Sequence, residues 1–169
     1  MKTNMNRKGI SNVVATIILI AVAIALAVAV AVWVFGLAGS ASKTATLQVQ
    51  AVGLTGVSTN SSTLTLLISN PSSSGIGING FTLGSLSCVF STPVQVPAGT
   101  QGGQLTIALT ITNGAFTGVS SVTGSNGITA SGITASCSGS QTAAVGIQYS
   151  GYVTTVSGQT YPFTVTASS

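Results

Sequence analysis

KGISNVVATIILIAVAIALAVAVAVWVFG, residues 8–36, sets a basic residue and a glycine directly ahead of an uncharged run that continues to Ser42. From 13 to 38 only Thr16 and Gly36 interrupt the apolar side chains. A helix needs about 20 such residues to cross roughly 30 Å of hydrocarbon, so this run spans a bilayer with a turn or more to spare. Within it Ala21, Ala23, Ala25, Ala27, Ala29 and Ala31 alternate with Val22, Ile24, Leu26, Val28, Val30 and Val32. A period of two with many β-branched residues is formally a strand signal. Length decides against that reading, because a lone strand would leave its amides unpaired in lipid whereas a helix satisfies them internally.

Wound at about 100° per residue, the alternation becomes two stripes. Ala21, Ala25 and Ala29 share one face, and Ala23, Ala27 and Ala31 share nearly the opposite one. Small residues four apart let neighbouring helices approach closely in apolar surroundings. Two such faces suit a helix with several neighbours better than a simple dimer, although an alanine-rich lipid anchor carries the same spacing.

Composition excludes several classes of function. Of 169 residues 2% are charged, with four basic side chains and no Asp, Glu or His. A typical soluble domain carries about a quarter charged residues. Disorder is equally out of character, since 45% of the residues are hydrophobic and disordered chains combine low hydrophobicity with high net charge. The formal charge of +4 does not make a nucleic-acid surface: Lys2, Arg7 and Lys8 all precede the apolar run, and Lys43 is the only cation beyond it. Phosphate binding needs several cations on one face. The leading charges instead fit a positive-inside determinant that holds the N-terminus in the cytoplasm.

Beyond Ser42 the texture changes. GSAS at 39–42 reads as a hinge, and the chain that follows breaks into short strands punctuated by Gly, Asn, Ser and Pro. In QLTIALTIT, Leu105, Ile107, Leu109 and Ile111 alternate with Thr106, Ala108, Thr110 and Thr112, one face in and one face out. ATLQVQAV at 45–52, TLTLLIS at 63–69, GFTL at 80–83, AAVGIQY at 143–149 and YPFTVTA at 161–167 give further strands. Together they predict a C-terminal all-β antiparallel sandwich of immunoglobulin-like type. GITAS, repeated at 127–131 and 132–136, is too brief a doubling for a solenoid and reads as a loop or short hairpin.

The side chains that ordinary catalysis needs are missing. Without Asp, Glu or His there is no standard triad, paired-carboxylate site or multidentate metal site, and no cofactor is called for. A Ser or Thr activated by Lys43 is the residual possibility, but just outside a membrane helix a solvated interfacial lysine is the simpler reading. Cys88 and Cys137 are the only cysteines. In an oxidising setting two cysteines most simply pair, with two buried free thiols as the alternative. Chain entropy would then contribute about 4 kcal/mol for a loop of about 50 residues. Asn60-Ser61-Ser62 is the one N-glycosylation sequon, since Pro71 follows Asn70.

Arg7-Lys8-Gly9, then Ile10-Ser11-Asn12, then the apolar run resembles the N-terminus of archaeal type IV pilins. An ordinary secretory signal has an apolar core of about 7–15 residues and is cut after it. AGSAS at 38–42 offers small residues for such a cut, but the core before it is too long. The resemblance, which covers about the first 40 residues, instead implies a class III signal peptide cut ahead of the core by a prepilin peptidase, between Gly9 and Ile10. Bacterial type IV pilins usually carry a glutamate five residues into the mature chain, and Val14 stands there, as is common in archaeal pilins.

The resemblance implies three segments: a basic leader over 1–9, a hydrophobic helix over 10–42 that anchors the precursor and then forms filament core, and an extracellular head over 43–169. It implies a type IV pilin-like fold and a structural subunit that polymerises with itself into a cell-surface filament. Attachment to surfaces or other cells would be its use, with an assembly ATPase and membrane platform as partners. The competing expectation is a single-pass, membrane-anchored surface β domain that binds a ligand or supports the envelope. Either way the near absence of charge predicts acid tolerance, and predicts that neighbouring subunits or glycans cover the head.

Overall fold

A computed structural model describes the backbone of residues 5–42 and 46–169, and the side chains of 10–36 and 46–169. It comprises two units, divided between Lys43 and Thr44. The first is one helix, α1 (Met5–Ser42). The hinge expected at 39–42 is helical backbone: Ala and Ser propagate a helix, and one glycine costs only about 1 kcal/mol relative to alanine. Lys43, and with it the lysine-activated hydroxyl considered above, lies outside the described residues.

The second unit is a sandwich of two antiparallel sheets, each with five strands. The first sheet runs in the order β1 (Gln48–Thr55), β2 (Ser61–Ser69), β5 (Gly103–Thr112), β6 (Ala115–Ser125), β8 (Gln141–Thr142). The second runs β10 (Thr160–Thr166), β9 (Gln148–Thr155), β3 (Ile76–Leu83), β4 (Leu86–Val96), β7 (Ala135–Ser138). Beyond the sheets' own ladders, Leu54 at the end of β1 bridges in parallel to Ala167 just past β10. That bridge ties the first strand of one sheet to the last strand of the other.

Alternation explains the core. Leu64, Leu66 and Ile68 of β2 and Leu105, Ile107 and Leu109 of β5 face inward, and threonines occupy much of the other face. Opposite them lie Ile78, Phe81 and Leu83 of β3, Leu86, Phe90, Val94 and Val96 of β4, Val153 of β9 and Phe163 and Val165 of β10. Fully burying each such side chain contributes roughly 1.5–3 kcal/mol. Ile111 is only partly buried, because it lies beside the β5–β6 turn.

Where alternation breaks, the chain bulges. In β3 the inward phase changes from Ile76 and Ile78 to Phe81 and Leu83, and the register with β4 shifts between Ile78 and Gly80. An extra residue at a bulge is what permits such a change of phase. Gly80 is obligatory there, since a β-carbon would collide with the Cys88 carbonyl. The expected strand over 80–83 is therefore the second half of a longer one.

One further strand expectation is corrected, and two long strands not expected from the sequence appear. Residues 143–147 form a loop and not a strand, leaving Val145 and Ile147 about half exposed. Gly146 takes a left-handed φ of 84° there, its N–H donates to the Ala167 carbonyl, and Ala167 donates back to Ile147. Strand β4 carries Ser91-Thr92-Pro93 in its middle, and β6 holds Gly118 and Gly124, so neither presents the alternation that reveals a strand in sequence. The GITAS doublet is a loop with short bridges at Thr129 and Ile133, but it feeds Ile128, Ala130 and Ile133 into the core.

Candidate functional site

The most conspicuous surface of the first unit is α1 itself. Ile10–Gly36 has a mean hydropathy of 3.2 and no buried share. At 1.5 Å per residue such a segment extends about 40 Å, more than the roughly 30 Å of a hydrocarbon core. Its polar exception is handled locally, the Thr16 hydroxyl donating to the Asn12 carbonyl one turn back at 2.8 Å. Ala21, Ala25 and Ala29, like Ala23, Ala27 and Ala31, are exposed along the helix. Arg7, Lys8 and Gly9 lie on helical backbone that continues unbroken through Ile10, and their side chains are outside the described residues. A long apolar helix joined to a β domain fits a membrane-anchored surface protein.

Cys88 on β4 and Cys137 on β7 stand directly opposite in register and form a disulfide, with Cα atoms 4.0 Å apart. The bond lies within one sheet and does not join the two. Its partner strand β7 is only four residues long, so the bridge fastens a short edge strand that has little ladder of its own.

Asn60 is exposed in the turn between β1 and β2, and that turn is pinned on several sides. Val57 is buried and its N–H donates to the Ser168 carbonyl at 3.2 Å. The Asn60 carbonyl accepts from Ile111 of β5 at 3.0 Å, and the Thr59 hydroxyl donates to Gly56 at 2.8 Å. Ser62, the hydroxyl residue of the sequon, is 1% exposed, and its Oγ donates to the Thr55 carbonyl at 2.7 Å.

Two polar residues not singled out from sequence organise the head. Asn70 is fully buried. Its Nδ2 reaches the carbonyls of Ser74, Val96 and Pro97 at 2.9, 3.1 and 3.2 Å, and its Oδ1 accepts from Ser72. It thus joins the loop after β2 to the loop after β4. Tyr149, at the start of β9, donates to the Thr142 carbonyl at 2.7 Å and accepts from the Ala144 N–H at 2.9 Å, while its ring meets Phe116 edge-on at 5.7 Å. The sequence signals were present: an Asn-Pro step ending a strand, and a tyrosine closing an apolar stretch.

Clefts in the head are shallow and uncharged. One of about 470 Å³ is lined by Gly75, Ile76, Gly77, Pro93, Gln95, Val156 and Ser157, a set with no acid, base or nucleophile pair. No family model matches the chain, and a search of curated proteins returns no relative.

Proposed function

We propose that this chain is the structural subunit of an archaeal type IV adhesion pilus. The observation that carries the reading is the exposed apolar helix behind a basic-Gly step, bearing alanine stripes on two nearly opposite faces. Removing such a helix from lipid costs little only if an equally apolar packed environment receives it, and small-residue faces provide that packing. Helices would form the filament core and the heads its outer wall, with cleavage between Gly9 and Ile10 preceding assembly.

The strand order supports an immunoglobulin-like head. β1-β2-β5 lies opposite β10-β9-β3-β4, and the Tyr149 hydroxyl returns to backbone just upstream in the manner of a tyrosine corner. An outer wall without charge calls for cover by neighbouring heads and by sugar, with Asn60 as the N-linked acceptor and surface Ser and Thr available for O-linked sugar.

Negative-stain microscopy of material sheared from cells, with the N-terminal residue of its subunit determined, tests this. Filaments beginning at Ile10 are expected. A chain recovered only as a detergent-extracted monomer would support the membrane-anchored surface domain instead.

A further inference from the structure

We infer that Asn60 accepts its glycan only before the head closes, while Ser168 has not yet reached the β1–β2 turn. The inference rests on Asn60 being an N-glycan acceptor and is independent of filament formation. In N-glycosylation the asparagine amide nitrogen forms a bond to the anomeric carbon of a lipid-linked sugar, the bond from that carbon to the lipid phosphate breaks, and the amide loses a proton. The transferase selects its substrate through the hydroxyl two residues on, which is why the motif is Asn-X-Ser/Thr.

In the folded head that hydroxyl is withheld. Ser62 faces the core at 1% exposure and its proton is committed to the Thr55 carbonyl. The segment cannot swing out as a flexible loop, because Ser62 is already within β2, paired with Leu109. Val57 is held by the core and by Ser168, and Asn60 by Ile111. Exposing Ser62 means undoing contacts to two distant parts of the chain, β5 and the segment around Ser168. The last of these, Ser168, follows Asn60 by more than a hundred residues, so a chain emerging across the membrane presents the sequon long before the turn can lock. Asn60 itself is exposed, so a glycan once attached projects to solvent without disturbing the sandwich.

The test uses the full chain in detergent, a purified oligosaccharyltransferase and its polyisoprenyl-linked sugar donor. One sample is folded before the enzyme is added, and the other is diluted from urea directly into the reaction. Intact mass and peptide mapping read the sugar at Asn60. Because opening the turn breaks several hydrogen bonds and uncovers the buried Val57 and Ser62, the prefolded chain should be modified at least about 10-fold less. Val57→Gly, which loosens the turn while leaving the sequon intact, should raise modification of the prefolded chain. Equal modification of both samples would overturn the inference. A bare Asn60 in both would overturn it too, by removing the acceptor on which it depends.

Discussion

At the scale of single residues the head is held by polar groups that are fully committed. Tyr149→Phe keeps the ring against Phe116 but deletes the hydroxyl shared by Thr142 and Ala144. It should lower stability by about 1–3 kcal/mol, read as an earlier urea midpoint at unchanged slope. Asn70 offers a sharper test. Asn70→Asp places a carboxylate among the carbonyls of Ser74, Val96 and Pro97, an arrangement that disfavours the charged form and so raises the folded-state pKa above its unfolded value. The folded state then binds the proton more tightly, so stability is present at low pH and lost as pH rises through the folded pKa. The variant should be near wild type at about pH 3 and clearly weaker at pH 7 in thermal melts. A variant equally stable at both would show that the site tolerates a bare carboxylate.

At the scale of elements, the sheet edges are protected without the charges that usually keep strands from pairing between molecules. The outer strands of the first sheet are β8, two residues long, and β1, which bulges between Ala51 and Gly53. Those of the second are β7, four residues long, and β10, which carries Pro162. Short strands, a bulge and a proline are all recognised substitutes for edge charge. The cover expected from composition alone is therefore partly built into the fold. Pro162→Thr should leave stability within about 1 kcal/mol yet promote self-association in light scattering, and a variant that stays as dispersed as wild type would remove the proline from this role. The disulfide acts on the same scale. Reducing Cys88–Cys137 should cost about 2–4 kcal/mol, and hydrogen exchange should show 135–138 losing protection before β2 and β5. Uniform loss of protection would mean that the bond stabilises the head globally.

For the molecule as a whole, the residue inventory dictates an unusual response to pH. Acid unfolding acts mainly by protonating native carboxylates and buried histidines, and the chain has no Asp, Glu or His side chain. The melting temperature of the detergent-solubilised chain should stay flat from pH 2 to 7 (within about 3 °C, less than the shift expected for 1 kcal/mol in a domain of this size). A steep drop below pH 4 would point to some other acid-sensitive element. Flat behaviour suits a surface protein in an acidic setting, and it makes Asn70→Asp the more telling, since that variant would give the head its first titrating side chain in this range.

The helix was legible because a long uncharged run admits one solution in lipid, and QLTIALTIT declared its inward face because strict alternation survives wherever a strand is regular. Some strands escaped because their regularity is broken, as in β3 at its bulge, β4 around Pro93 and β6 at its glycines; β7 and β8 are too short to show a period, and β9 begins later than its apolar stretch suggested. The Asn60 motif was visible as letters, but not the burial of Ser62, which follows from β2 pairing with β5 and from Ser168 arriving at Val57. The sequence by itself determined the apolar helix, the β class of the head and the lack of carboxylate and imidazole side chains, because these depend on composition and local period. Only the tertiary structure decided strand order, the edge strand that the disulfide secures, and which polar groups are sealed inside, because those depend on contacts between residues far apart in the chain.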